Sequence, residues 1–252
     1  MKKNILLIVL GIVTVFCIIF GTIRHFGKFE NNLKDALANI SIEMDDDDFD
    51  DLDFDEEEDS ADENKKSFAQ KLSAFTSIDI DAGILELDIK EGEDFSIKAA
   101  YSKDILKPEF KVENGVLKVE QSKHKRKFNM GKNVAYLVIT IPEGTELKEC
   151  KIDINVGELK INSLTGNSFS ADMNVGEIHM NDVDFKEIDV ENNVGEISIS
   201  PALDISEYNL DLSSDVGEVR VEGQNKKRSY SSRGNSNKKI SVKTNVGEVI
   251  IR

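Results

Sequence analysis

The chain has 252 residues, a formal charge of −16, two cysteines, three prolines and no tryptophan. That is enough for one ordinary domain with added segments, but two cysteines, Cys17 and Cys150, support neither a disulfide framework nor a cysteine metal site. Fourteen of the forty-eight acids lie between Asp45 and Glu63, leaving thirty-four against thirty-two bases elsewhere, so the body of the protein is near neutral.

The first predicted element is a transmembrane anchor within residues 1–25. Ile5 to Ile23 carries no charge over nineteen residues, roughly 28 Å of helix and about the thickness of a hydrocarbon core. The run is longer than the apolar region of most signal peptides and lacks a small-x-small cleavage site. Lys2 and Lys3 precede it while Arg24 and Lys28 follow. The lysine pair and the free amine favour an N-inside, C-outside topology. This predicts a single-pass protein of the cell membrane, held in lipid by its N-terminal helix, with the remainder extracytoplasmic.

Residues 26–44 read as an amphipathic helix or stalk, because Phe26, Phe29, Leu33, Ala36, Leu37, Ile40 and Met44 recur at three- and four-residue steps. Residues 45–74 read as an acidic, disordered linker. Twelve of the fifteen side chains from Asp45 to Asp59 are acidic, and mutual repulsion with little apolar content opposes folding. The tract lacks the glycine and the ligand spacing of a calcium-binding EF-hand loop.

Residues 75–252 read as an all-β domain. Five copies of one pentapeptide occur: Asn155-Val156-Gly157-Glu158-Leu159, Asn174-Val175-Gly176-Glu177-Ile178, Asn193-Val194-Gly195-Glu196-Ile197, Asp215-Val216-Gly217-Glu218-Val219 and Asn245-Val246-Gly247-Glu248-Val249. Apolar residues alternate up to each copy (Ile152, Ile154, Val156) and resume after it in shifted phase (Leu159, Ile161). A phase break turns a strand inside out unless the backbone absorbs it, and glycine supplies that freedom. Gly157, Gly176, Gly195, Gly217 and Gly247 are therefore predicted to be equivalent corners of successive rungs. A β-branched residue at Gly195 should cost ~1 kcal/mol or more. Degenerate copies are expected at Ile78–Leu87, around Ala82-Gly83, and at Phe110–Val119, around Asn114-Gly115, with Ile84 and Val116 in the glutamate position. A rung of about nineteen residues cannot bury its apolar edge alone, so the rungs must stack at ~4.8 Å. The predicted fold is a parallel β-solenoid, a single-stack β-helix. Hairpins of a β-sandwich remain an alternative for Phe75 to Pro142.

Stacking would align Glu158, Glu177, Glu196, Glu218 and Glu248 in one column and Asn155, Asn174, Asn193, Asp215 and Asn245 in another. The asparagines can hydrogen-bond along their column. The carboxylates either face solvent at a corner or attract divalent cations. No cofactor or metal site is expected. Nor is a catalytic one: the acids recur by repeat, and the three histidines, His25, His124 and His179, have no partner that breaks the pattern. Two basic loops are the candidate binding surfaces. One contains Lys123, Lys125, Arg126 and Lys127; the other contains Lys226, Lys227, Arg228 and Arg233. Without an aromatic platform they do not point to nucleic acid. The last copy ends at Arg252 with no cap, which predicts an open C-terminal rung suited to self-association or strand exchange.

The Asn-Val-Gly-Glu-Ile corner, together with Val138-Ile139-Thr140-Ile141-Pro142-Glu143-Gly144-Thr145, resembles a bacterial β-strand-repeat family labelled as candidate adhesins and called toast-rack domains. The resemblance spans roughly Phe75 to Arg252. It implies a β-helical stack carried by Gram-positive cell-envelope membrane proteins, some tied to envelope-stress signalling, and it brings no catalytic residues. The acidic tract has no counterpart in that pattern. The expected function is a non-catalytic, membrane-tethered binding or scaffold module of the envelope that meets an envelope protein or an anionic wall polymer. The alternative is an envelope-stress sensor or regulator acting through a partner membrane protein.

Overall fold

The structure, a computed structural model, describes residues 66–121 and 135–252. The expected membrane helix, stalk, acidic tract and the loop carrying Lys123, Lys125, Arg126 and Lys127 lie outside the described residues. Among the described residues no helix is long and apolar enough to cross a membrane. Helical structure there consists of two single 3-10 turns, Asp104–Leu106 and Ile205–Glu207.

Thirteen strands form one sheet wound on itself. In chain order they are β1 Lys66–Lys71, β2 Ser77–Gly92, β3 Ser96–Tyr101, β4 Glu109–Glu113, β5 Val116–Glu120, β6 Ala135–Pro142, β7 Glu146–Asn162, β8 Thr165–Val194, β9 Ile197–Pro201, β10 Tyr208–Val221, β11 Gln224–Asn225, β12 Ser229–Ser232 and β13 Lys238–Ile251. The middle of the sheet is a stack of parallel rungs, each a long strand bent at a corner. β2 pairs β7 from Ser77↔Glu149 to Lys90↔Asn162, and β7 pairs β8 with a constant offset of nineteen. A short connection, Ser163-Leu164, suffices to start the next rung. Ser163 (φ 55°) and, one rung later, Asp182 (φ 53°) take left-handed conformations there, with Ser163 Oγ donating to Asp182 at 3.1 Å.

The core follows from the alternation. Cys150, Ile152 and Ile154 point inward before the corner and Leu159 and Ile161 after it. Phe169, Ala171 and Met173, then Ile178 and Met180, repeat the arrangement one rung on, and all are buried. Phe169 packs against Phe185 with ring centroids 5.5 Å apart. Each fully buried aliphatic residue contributes about 1.5–3 kcal/mol, so the stack is held chiefly by these columns. Burial, and to a lesser extent the charge of Glu149, pushes the Cys150 thiol far above its ordinary range. The motif valines do not join the core: Val156 is half-buried and Val216 is 49% exposed.

Both degenerate copies differ from expectation. In β2 the register sets Leu85 against Gly157 and Glu86 against Glu158, so Gly83 falls two positions before the corner and Glu86, not Ile84, holds the glutamate position. The buried Leu85 provides the backbone on which Gly157 rests. Asn114-Gly115 is not a corner. It is the two-residue turn of the β4–β5 hairpin, with φ of 53° and 75° at its two residues, the signs of a type I′ turn. β5 and β6 then pair with the two halves of β2 in parallel and together make a further rung. The sandwich alternative survives only as the antiparallel pairs β1–β3, β3–β6 and β4–β5 at this end.

The expected linker reaches too far. Lys66–Lys71 form β1, because Phe68 stacks on Phe110 at 5.4 Å and the strand completes the edge of β3.

The other end corrects the expected order of rungs. β13, the C-terminal strand, pairs on one side with β8 and β9 and on the other with β10. Arg252 N donates to Ile199 O at 3.1 Å, and Glu222 N donates to Ile251 O at 2.9 Å. The chain terminus thus lies inside the stack and β10 is the outermost rung. The outer edge of β10 is closed by β11 and β12, which run antiparallel to it from the tight turn at Glu222 (φ 49°) and Gly223 (φ 75°). Because the chain leaving β10 returns along that outer edge, β13 can pair only on the inner one. Among the described residues the C-terminal rung is paired on both sides, which corrects the open rung expected for self-association or strand exchange.

Candidate functional site

The corners bring the repeated residues into three columns. Gly157 lies opposite Gly176, and Gly217 opposite Gly247. A Cβ placed on Gly195 would approach the carbonyl of Gly176, and one on Gly247 the carbonyl of Gly195. The column therefore runs Gly157, Gly176, Gly195, Gly247, Gly217. All five have φ between 142° and 158°, a region essentially restricted to glycine.

Two residues earlier stands the asparagine ladder. Asn174 Nδ2 donates to Asn155 Oδ1, Asn193 to Asn174 at 2.7 Å, and Asn245 to Asn193 at 2.6 Å. Asp215 closes the column beside Asn245. Asn193 carries two of these bonds and Asn155 one. With a net worth of about 1 kcal/mol per bond, Asn193→Ala should lower stability by roughly 1–2 kcal/mol and Asn155→Ala by about half that. Urea unfolding of the two variants checks the ratio.

One residue beyond the glycines the carboxylates line up as Glu86, Glu158, Glu177, Glu196, Glu248 and Glu218. Residues two apart share a face of a strand, so the positions after them form a second outward column: Asp88, Lys160, His179, Ser198, Ile250 and Arg220. Lys160 Nζ lies 3.0 Å from Glu158, and Arg220 meets Glu248 at 2.7 Å and Glu218 at 3.3 Å. His179 Nε2 sits 3.2 Å from Glu177 and 3.9 Å from Glu158. The hydrogen bond with Glu177 raises the pKa of His179, and Glu158, Glu177 and Glu196 add to the rise; burial opposes it. The same bond lowers the pKa of Glu177. Sequence reasoning found the glutamates but not this partner for His179. The signal was the two-residue step from the glutamate, which the repeat register carries into the neighbouring rung.

The second basic loop belongs to the segment that closes the stack: Lys226, Lys227 and Arg228 connect β11 to β12, and Arg233 directly follows β12. Lys227, Arg228 and Arg233 are exposed. Lys226 Nζ lies over the Tyr230 ring at 5.2 Å from its centroid and 2.9 Å from Gln224. Lys238 instead turns back to Asp184, which also accepts from the buried Tyr208 hydroxyl at 3.3 Å.

The sequence profile of the Toastrack DUF4097 family matches residues 75–201 and 143–252. The chain belongs to this family. Its Toastrack fold is shared by a candidate cell adhesion protein from Clostridium sporogenes, 21% identical, with a TM-score of 0.62 over 74% of this chain and 98% of that one. A candidate adhesin from Bacteroides fragilis (14% identity, TM-score 0.37, 75% and 98% covered) and a candidate lipid-binding protein from Parabacteroides distasonis (13%, 0.35, 75% and 74%) overlay less closely. No curated protein sequence matches the chain.

Proposed function

We propose that this Toastrack protein is a non-catalytic, membrane-tethered binding or scaffold module of the bacterial cell envelope, whose rigid stack presents the basic residues flanking its closing strand to an anionic wall or lipid polymer. The observation that carries the reading is the end of the stack: Lys227 and Arg228 lie exposed in the turn between β11 and β12 and Arg233 directly follows β12, on a segment fixed to β10 by the pairings of Leu210–Ser213 with Ser229–Ser232 and by Ser214 N donating to Arg228 O at 2.8 Å and Val219 N to Lys227 O at 2.7 Å. A rigid backbone lowers the ordering cost of engaging a polyanion. The adhesin and lipid-binding descriptions of the structural neighbours agree with a binding role, and the uncharged run Ile5 to Ile23 supplies the tether.

Two measurements test it. Protease added to intact cells should cut the β-domain from the membrane; protection until the cells are lysed would remove the extracytoplasmic placement. Full-length protein in detergent micelles should bind purified anionic wall polymer, and the combined change Lys227→Glu, Arg228→Glu and Arg233→Glu should weaken that binding at least about tenfold. The loss should shrink as salt shortens the screening length. Equal binding by the charge-reversed protein would refute the closing strand as the surface.

A further inference from the structure

We infer that Glu158, Glu177 and His179 form a binding site for a divalent transition-metal ion of the zinc class on the outer face of the stack. Two adjacent rungs bring the three groups together. Glu158 and Glu177 are paired across β7 and β8, so parallel spacing sets their carboxylates side by side, and His179 lies two residues after Glu177 on the same face. One ligand atom from each lies within 4.8 Å of the other two.

Ligands bound at ~2.1 Å stand ~3.4 Å apart in a tetrahedron and never more than ~4.2 Å apart. The His179 Nε2 separations of 3.2 Å to Glu177 and 3.9 Å to Glu158 fall inside that limit, and the two carboxylates, within 4.8 Å of each other, would have to close by at most ~0.6 Å around an ion. One imidazole and two carboxylates suit zinc and its neighbours in the first transition row, and they leave a fourth position for water or an external ligand. Calcium requires six to eight oxygens, which this set does not provide. All three side chains are about 30% exposed, open enough for an ion to enter and held on strands rather than loops.

The position is singular along the described stack. At the place of His179 the other rungs carry Asp88, Lys160, Ser198, Ile250 and Arg220, none of them a nitrogen ligand that functions at neutral pH. Two cations compete with the metal. One is the proton on His179, favoured by Glu177 on its own rung, Glu158 on the rung before and Glu196 on the rung after. The other is the Lys160 ammonium, 3.0 Å from Glu158. Proton and metal compete for the same His179 nitrogen, so metal binding weakens as pH falls.

The test is a titration of full-length protein in micelles with zinc ion alone, read by competition with a chromophoric chelator and by the histidine ring resonances. The acidic stretch from Asp45 to Glu63 contributes weak oxygen-only binding, so the informative quantity is the difference between proteins. Wild type should show one equivalent that His179→Gln and Glu177→Gln each weaken about tenfold or more, with urea midpoints unchanged. Lys160→Gln should tighten it severalfold. The ring signals that disappear in His179→Gln should be the ones that shift with zinc in wild type. If His179→Gln binds within twofold of wild type, or those ring signals stay fixed at saturation, the site does not exist. The inference depends on neither membrane topology nor wall-polymer binding, so zinc binding and polymer binding can each fail without the other.

Discussion

Gly195→Val is expected to lower the stability of the protein by about 2–6 kcal/mol. Two separate costs add. The backbone at Gly195 has φ 142°, where a residue with a Cβ carries about 1–3 kcal/mol of strain. A Cβ built there would also lie 1.7 Å from the carbonyl oxygen of Gly176 and 2.8 Å from its carbon. Those atoms are backbone, so relief requires the rungs themselves to separate, adding about the 1–3 kcal/mol typical of overpacking. Gly195 N also donates to Val246 O at 2.9 Å, so the corner is held on its other side as well. Gly223 is the control: its φ is 75°, and an added Cβ meets nothing within 4 Å. Gly223→Ala should therefore cost only about 1 kcal/mol. Urea unfolding of both variants gives the comparison. Similar losses at the two positions would show that close approach between rungs is not what demands glycine at the corner.

The contrast shows what the sequence could reveal. The five Val-Gly-Glu copies and the phase break around each were enough to read the rungs, the glycine column and the asparagine ladder, because a repeat writes the register directly into the spacing. The close approach of one corner's carbonyl to the next glycine was not readable, since it is set by stacking and leaves no trace within one copy. Near β2 a decoy glycine won: Gly83 resembles a corner, but Leu85 occupies it. At Asn114-Gly115 the same residue type served a hairpin turn, where a positive φ is needed for another reason. The strand β12 was hidden by its composition. Closing an edge takes backbone hydrogen bonds and one contact from Tyr230, which packs against the core, so the three serines of β12 serve there as well as apolar residues. His179 was judged by its lack of a unique partner, whereas its partners Glu177 and Glu158 are supplied by the repeat itself.

Spatial order is where sequence spacing misleads most, and it gives the second large effect. If the last copy were the outermost rung, a chain ending at Asn237 would lose one terminal layer and keep the others intact, as in a nearest-neighbour stack. In the structure β13 lies between β9 and β10. Removing residues 238–252 takes away Ile240, Val242, Val249 and Ile251, all buried, at about 1.5–3 kcal/mol each, or roughly 6–12 kcal/mol together. It also strips the inner edge of β10, breaking the pairing from Tyr208↔Lys238 to Val221↔Ile251, and leaves Leu210, Leu212, Val219 and Val221 without the layer they pack on. β10 with its closing strand would then remain as an isolated pair, too small to be stable in water. The loss is comparable to the whole stability of an ordinary domain, about 5–15 kcal/mol. The shortened protein should be largely unfolded, or folded only through β9 with everything after Pro201 open to proteases. Limited proteolysis with mass analysis of the products separates the outcomes. Retention of an intact, protease-resistant segment from Tyr208 to Ser232 after the truncation would overturn the interior placement of the C-terminal strand.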